Sequence, residues 1–241
     1  IPIFRLPRKI IEREIQQILS LGIKLHLNKN ISTFEQLSAL ADNYDAVVLA
    51  MGTLEANKID KQFSMCEQVE DGLDFLLRTN EYNSKTIGNN VVIIGGGYTS
   101  MDCARTALRL GAKSVRTFYR RTRGDLVILP GELEELKKED GVMKFNARPN
   151  KIIMTRGKLS GLQLIKTQIT NKGMLEDIRG SEFNIKTDHI ILAIGQSQEL
   201  NILSGIKHSL NKLSKSQKSC NISKNIFSAG DFALGATTLI D

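Results

Sequence analysis

The stretch VVIIGGGYTSMDCARTALRLGA (91–112) decides the fold of this 241-residue chain. Its β-branched start predicts a buried strand over 90–94. The residues after the glycines have a helical pattern, which predicts a helix over 98–110. A further strand is predicted over 114–120. A glycine turn joins the first strand to the helix. This order of strand, glycine turn, helix and strand is typical of an α/β nucleotide-binding unit.

The glycine turn has the spacing Gly95-x-Gly97-x-x-Ser100, in which each small residue has a physical task. Gly95 permits the tight turn, Gly97 lets the backbone approach a pyrophosphate, and Ser100 allows close packing of helix on strand, although Gly or Ala is more usual there. The helix would offer unpaired N–H groups to the anion. The alternative is a glycine turn with a structural role alone. The residues predicted to contact a nucleotide are Gly95, Gly96, Gly97, Tyr98, Thr99 and Ser100.

A basic run, FYRRTR (118–123), ends the second strand. A site that prefers NAD usually carries Asp or Glu near this point to bind the ribose 2′-OH, but the first acid here is Asp125. Arginines suit a 2′-phosphate because they form bidentate, charge-assisted hydrogen bonds. The run therefore favours NADPH over NADH. Which of Arg120, Arg121 and Arg123 makes the contact stays open, and Arg120 and Arg121 are preferred because they lie nearest the strand end. The alternative is a set of solvated arginines.

Composition excludes several other classes of protein. Hydrophobic residues make up 41% and charged residues 24%, which is ordinary for a globular chain. The net charge is +7, but aromatic residues are only 5% and the basic residues are scattered, which argues against nucleic-acid binding. No stretch approaches the roughly 18 apolar residues of a membrane-spanning helix.

The cysteines Cys66, Cys103 and Cys220 lie far apart, and the sequence contains no CxxC. This spacing excludes a zinc ribbon and a local redox disulfide within the chain. Free thiols and the absence of a targeting segment lead us to expect a cytoplasmic protein.

The rest of the chain alternates between helical and strand patterns, which predicts an α/β fold with a mainly parallel sheet. Three runs separated by turn residues predict an antiparallel β-meander. The predicted helices are 10–21, 32–42, 72–79 and 131–140. The predicted strands are 23–27, 45–51, 142–146, 189–194 and 226–229, with the meander at 151–155, 161–169 and 182–186 and a polar surface loop at 211–225.

Six segments taken together resemble one family, and they occur in that family's order across nearly the whole chain. They are IPIFRLP (1–7), YDAVVLAMGT (44–53), GGGYTSMDCARTALRLGAKSV (95–115), YRRTR (119–123), GSEFNIKTDHIILAIGQ (180–196) and NIFSAGDFALGATTLID (225–241). The chain resembles the pyridine-nucleotide-dependent flavoprotein oxidoreductases with two dinucleotide-binding domains. Within that group it is most similar to the small subunit of NADPH-dependent glutamate synthase.

The resemblance implies a Rossmann-like NADPH-binding domain inserted in an FAD-binding domain. It places the NADPH domain at 56–196 and the two FAD-domain segments at 1–55 and 197–241. The family's first glycine fingerprint, for the ADP half of FAD, is not found in this sequence, so we expect the FAD domain to be partial. The residues that the resemblance assigns to cofactor contacts are Gly52, Gly195, Gly230, Asp231, Thr237 and Thr238.

The implied chemistry is hydride transfer from NADPH to FAD. Electrons would pass on to iron–sulphur centres or a partner subunit, and the sequence shows no separate acid–base constellation and predicts no metal ligands. His189 is interpreted as a structural residue. The carboxylates Glu132, Glu134, Glu135 and Glu139 are interpreted as a solvated helix face. Three alternatives remain: a nucleotide-binding module without turnover, a related NAD(P)H:acceptor flavoprotein subunit, and a structural or interaction fragment with neither activity.

Overall fold

The structure is a computed structural model that describes residues 1–81, 87–205 and 221–236. It divides into two compact units. Unit 1 comprises 1–11 and 58–195, and unit 2 comprises 12–57 and 196–241. The expected domain boundaries, after 55 and after 196, lie within two residues of these divisions. Residues 1–11, which the sequence analysis assigned to an FAD-domain segment, group instead with 58–195.

The helices and strands are numbered in chain order. The helices are α1 Arg8–Leu19, α2 Phe34–Asn43, α3 Lys61–Ser64, α4 Gly72–Asn80, α5 Tyr98–Arg109, α6 Pro130–Lys138 and α7 Asp231–Leu234. The strands are β1 Val47–Leu49, β2 Glu55–Ala56, β3 Val69–Asp71, β4 Asn90–Ile94, β5 Ser114–Phe118, β6 Val142–Lys144, β7 Ala147–Thr155, β8 Lys158–Ile169, β9 Leu175–Asp177, β10 Phe183–Lys186, β11 His189–Leu192, β12 Gln196–Ser197, β13 Asn221–Ser223 and β14 Ile226–Ser228.

Unit 1 is built on a five-stranded sheet with the order β3-β11-β4-β5-β6, in which every neighbouring pair is parallel. β4 has four buried Val and Ile residues in succession, and Ile190 and Ile191 at the centre of β11 are also buried, as expected of strands covered on both faces. On one face β4 and β11 pack with α5, where Met101 and Ala104 are fully buried. The carboxyl ends of parallel strands meet at one edge, so this sheet has a single edge at which a site can form.

The other face of the sheet packs against an antiparallel meander of β7, β8 and β10, with β9 paired to β8. Leu162 and Leu164 of β8 are fully buried between the two layers. A parallel sheet that carries helices on one face and a meander on the other confirms the α/β fold class predicted from the sequence.

Unit 2 contains the three-stranded sheet β1-β14-β13. β1 and β14 run parallel, and Ala229 N donates to Leu49 O at 3.0 Å just beyond their paired residues. Leu37, Leu203 and Phe232 are fully buried in the core of this unit. A Thr33–Gln36 capping box begins α2, close to the predicted start of that helix.

One predicted strand is absent, and five short observed strands were not predicted: β2, β3, β9, β12 and β13. Residues 23–27 form no strand, and Ile23, Leu25 and Leu27 are exposed, because no described segment pairs with this stretch. Conversely, β3 has the polar sequence Val-Glu-Asp, yet it forms the edge of the parallel sheet beside β11. Part of the predicted loop 211–225 lies outside the described residues, while 221–223 form a strand.

A search of the described residues finds no helix with the length and apolar character needed to cross a membrane.

Candidate nucleotide-binding site

The glycine turn leaves β4 at the carboxyl edge of the sheet and enters α5 within three residues. Gly95 adopts φ +151°, and its N–H donates to Phe118 O at 3.0 Å. A Cβ at this position would lie 2.1 Å from the carbonyl oxygen of Ala193, a separation that no side chain tolerates. The tight turn predicted at Gly95 is thus fixed both by its backbone conformation and by the neighbouring strand end.

The next two glycines differ in what surrounds them. A Cβ on Gly96 would lie 2.4–2.6 Å from ring atoms of Tyr119, so that aromatic ring covers one side of the turn. Gly97 begins α5 as its N-cap residue and has no atom within 4 Å of a Cβ position. The open space beside Gly97 adjoins the first N–H groups of α5, which is the arrangement that an anion requires.

Ser100 fills the third small-residue position and is fully buried. Its hydroxyl donates to Gly97 O at 2.6 Å. The buried polar group therefore has a hydrogen-bond partner while the small side chain lets the helix pack closely. On the other side of the helix, a Cβ on Gly72 would contact Cys103, Thr99 and Ala193 at 3.2–3.3 Å. This close packing leaves the Cys103 thiol inside the core, where burial raises its pKa well above the ordinary value.

Gly195 follows β11, the strand next to β4, and adopts φ +102°. Because Ala193 N donates to Ile94 O at 2.8 Å, the chain segment that leads to Gly195 runs beside the glycine turn at the same sheet edge. The structure therefore brings Gly195 into the neighbourhood of Gly95.

Arg120 and Arg121 directly follow β5 at this edge. Their backbone is anchored because Thr167 Oγ1 donates to Arg120 O at 2.7 Å and Asn146 N donates to Arg121 O at 3.1 Å. Within the part of the chain that the structure describes, neither guanidinium lies within 4 Å of a carboxylate oxygen, although the charge of Arg121 contributes to lowering the pKa of Asp125. Arg123, by contrast, lies 3.9 Å from a carboxylate oxygen of Glu134.

The loop after these arginines is held by local hydrogen bonds. Thr122 and Asp125 form a reciprocal cap around the 3₁₀ turn Arg123–Asp125, and hydrogen bonds from Thr122 lower the pKa of the Asp125 carboxyl. Tyr119 Oη donates to Asp125 O at 3.1 Å, and Tyr98 Oη accepts from Leu129 N at 3.3 Å. The two tyrosines therefore tie the loop to the strand end and to the start of α5.

The remaining predicted cofactor contacts lie in unit 2 or beyond the described residues. Gly52 follows β1 and Gly230 follows β14, so both leave the carboxyl ends of neighbouring parallel strands, with φ of +70° and +60°. Asp231 is the first residue of α7. Thr237 and Thr238 lie outside the described residues.

Several groups of charged side chains in unit 1 were not predicted from the sequence. Glu132 and Glu139, predicted on a solvated helix face, pair instead with arginines. Arg5 pairs with Asp102 of α5 and with Glu132 of α6, although these residues are far apart along the chain. Glu70 of β3 lies between Arg78, at 2.6 Å, and His189 Nε2, at 2.5 Å. No spacing rule connects such partners, since each pair depends on how strands and helices pack.

A cleft of about 760 Å³ lies between β5, β6 and the meander of unit 1, beside the segment of Arg120 and Arg121, since Asn146 and Thr167 line it. Its lining includes Arg116, Phe118, Lys166 and Phe183 and none of the predicted nucleotide contacts. The described residues also contain no cluster of three His, Cys, Asp or Glu side chains placed to hold a metal ion. The glycine turn and the sheet edge around it therefore remain the part of unit 1 that fits a nucleotide.

Two curated proteins illustrate what the chain is similar to. The NADP(+)-dependent formate dehydrogenase subunit beta of Moorella thermoacetica is 28% identical over all of this chain and 36% of its own length. The NADPH glutamate synthase small chain of Escherichia coli (strain K12) is 32% identical over 81% of this chain and 45% of its own length. The chain thus spans less than half the length of these curated relatives.

A solved structure shares the fold. FprA of Mycobacterium tuberculosis in complex with NADPH superimposes with a TM-score of 0.68 at 17% identity, over 84% of this chain and 61% of that chain.

The family described as pyridine nucleotide-disulphide oxidoreductase matches residues 11–240. This match confirms the resemblance and the fold class predicted from the sequence, and the predicted pair of cofactors, NADPH and FAD, is that of the family. The chain belongs to the pyridine nucleotide-disulphide oxidoreductase family.

Proposed function

We propose that this chain is the nucleotide-binding part of an NADPH-dependent FAD oxidoreductase similar to the glutamate synthase small chain. The observation that carries the proposal is the glycine turn. Its open space beside Gly97 adjoins the start of α5, and the adjacent strand is followed by two arginines that form no ion pair with any described residue. A helix N-terminus suits a pyrophosphate, and the arginines suit a 2′-phosphate.

The proposal gives a task to each of six nucleotide-site residues in unit 1. Gly97 and the N–H groups of Tyr98 and Thr99 bind the pyrophosphate oxygens. Ser100 keeps α5 close to the sheet, which aims those groups at the turn. Arg120 and Arg121 bind the 2′-phosphate, and their fixed backbone limits the entropy lost when their side chains become ordered.

We assign part of the FAD site to unit 2. Gly52 and Gly230 offer backbone without a side chain at the ends of paired parallel strands, and Asp231 stands at the start of α7. When bound, NADPH and FAD supply hydride transfer, which yields NADP⁺ and reduced flavin. The electrons then pass to iron–sulphur centres or to a partner subunit, as we infer from the similarity to the glutamate synthase small chain.

Titration of the purified chain with NADPH and NADH, followed by nicotinamide fluorescence, tests the nucleotide site. We expect tighter binding of NADPH. Arg120→Ala or Arg121→Ala should weaken NADPH binding about tenfold, which corresponds to one lost charge-assisted contact of about 1.4 kcal/mol, and should leave NADH binding unchanged. Arg123→Ala is the matched control, because Arg123 already lies near Glu134. Equal affinity for both nucleotides would refute the 2′-phosphate assignment.

A second candidate is a module that binds nucleotide without turnover, which is favoured because unit 1 by itself carries all the residues assigned to NADPH. Flavin content separates the two. A chain that retains FAD and loses its yellow colour on addition of NADPH performs the proposed reaction. A chain that binds NADPH but retains no FAD, even when FAD is supplied in excess, is the binding module.

A further inference from the structure

Arg5 joins the N-terminal segment to the two helices beside the glycine turn. Its guanidinium forms a bidentate pair with Glu132 of α6, at 2.8 and 2.6 Å, and its Nε donates to Asp102 of α5. The neighbouring Phe4 ring lies 4.6 Å from the guanidinium carbon of Arg105 and 4.3 Å from that of Arg109, both on α5. These contacts lie within unit 1, so residues 1–11 belong to the surroundings of α5.

Of the two carboxylate partners of Arg5, Asp102 is the one on α5, the helix that begins at the glycine turn. It is the fifth residue of α5 after the N-cap Gly97, and an α-helical side chain leans toward the helix N-terminus. Its carboxylate therefore lies within roughly 10 Å of the open N–H groups, which is about one Debye length at physiological salt. Burial raises the pKa of Asp102, while the hydrogen bond with Arg5 opposes that shift.

An unpaired carboxylate at this place would repel a bound phosphate group. The helix dipole makes the start of α5 attractive to anions, but a full negative charge beside it opposes that attraction. Arg5 reduces this repulsion because it places a cation against the Asp102 carboxylate. Arg5, Asp102 and Glu132 together carry a formal charge of −1, whereas the two carboxylates without Arg5 would carry −2. Only 23% of the Arg5 side chain and 14% of the Asp102 side chain are exposed, so solvent screens this pair less than a surface pair.

We propose that Arg5 is a positioning residue for nucleotide binding: by offsetting the charge of Asp102, it keeps the start of α5 favourable for a pyrophosphate. This inference rests on the proposed function, since it concerns the same glycine turn. It makes the N-terminal segment part of the nucleotide site without any contact to the nucleotide. The ligand class is a dinucleotide with a pyrophosphate, whether or not it carries a 2′-phosphate.

The test is a double-mutant comparison in the full chain, with NADPH and NADH as probes and thermal unfolding recorded for every variant. Arg5→Gln should weaken binding of both nucleotides about three- to fivefold, the effect of an uncompensated charge of up to 1 kcal/mol near a helix terminus. Arg5→Gln combined with Asp102→Asn should restore the affinity of the unmodified chain. Arg148→Gln, which breaks the Arg148–Asp177 pair in the meander, is the matched control and should leave affinity unchanged.

The outcomes separate this role from a structural one. If Arg5 only clamps the N-terminal segment, the double variant has lost more contacts than Arg5→Gln alone and binds no better, which would overturn the proposal. Unchanged affinity in Arg5→Gln would overturn it as well. Loss of NADPH binding alone, with NADH unaffected, would place Arg5 at the 2′-phosphate and contradict the proposed role. If the unmodified chain binds neither nucleotide, the proposed function fails and this inference fails with it.

Discussion

Among the described glycines, Gly95 has the least room for a side chain. Gly95→Ala would place a methyl group 2.1 Å from the carbonyl oxygen of Ala193 in a backbone conformation that favours glycine. We expect a loss of about 2–4 kcal/mol in the free energy of unfolding and loss of nucleotide binding. Urea unfolding and NADPH titration measure both effects.

Gly97→Ala is the contrasting variant, because Gly97 has no neighbour within 4 Å of a Cβ position. It should fold with nearly unchanged stability and still weaken NADPH binding, since the added methyl group enters the space assigned to the pyrophosphate. Unchanged binding in Gly97→Ala would contradict that assignment.

The carboxyl group of Glu70 should make stability depend on pH. Burial alone would raise its pKa, but hydrogen bonds from Arg78 and His189 outweigh burial and lower the pKa below 4.5. Such a group stabilises the fold above its unfolded-state pKa, and the contribution is lost as the pH falls through the folded-state pKa. We expect Glu70→Gln to lower the free energy of unfolding by roughly 2 kcal/mol at pH 7 and to flatten its decline below about pH 4.5.

Urea unfolding between pH 3 and pH 7 measures this dependence. Glu67→Gln, at an exposed position three residues earlier, is the control and should preserve the shape of the profile. A Glu70→Gln profile parallel to that of the unmodified chain would show that Glu70 does not set it.

At the scale of elements, strand β8 connects the meander to the parallel sheet. Leu164 of β8 is fully buried and stands opposite Phe183 of β10. Leu164→Ala should cost about 3 kcal/mol in the free energy of unfolding, from lost apolar burial and the cavity left behind. Lys166→Ala, two residues later on the same strand and exposed, should cost less than about 0.5 kcal/mol. Similar losses in both variants would contradict the packing of the meander on the sheet.

The sequence predicted those helices and strands that are buried and whose residue types show this directly. β4 was predicted over its observed residues, and α5 ended within one residue of its prediction, because a run of β-branched residues and a glycine turn are local signals. β3 was missed because a polar edge strand takes its conformation from β11 rather than from its own composition. Residues 23–27 were wrongly predicted as a strand because alternation alone does not supply a partner.

The same distinction applies to the site. The glycine turn and the two arginines could be found in the sequence, since both follow strand ends. The sequence could not reveal that Tyr119 approaches Gly96 or that Arg5 pairs with Asp102, because contacts between distant segments depend on packing.

For the whole molecule, the division into two units predicts where a nucleotide should protect the backbone. Hydrogen exchange with and without NADPH should show slowed exchange of the amides in 97–102 and 118–122 of unit 1. Strands β1 and β14 of unit 2 should exchange at unchanged rates, because NADPH is assigned to the sheet edge of unit 1. Protection confined to unit 2 would contradict this assignment.

The ring of Tyr119 occupies the place where a side chain on Gly96 would lie. These two positions are 23 residues apart in the chain, yet they share one volume. Neither can therefore drift independently during evolution. In related sequences, a residue larger than glycine at the position of Gly96 should be accompanied by a side chain smaller than tyrosine at the position of Tyr119, and an alignment of close homologues should show this covariation.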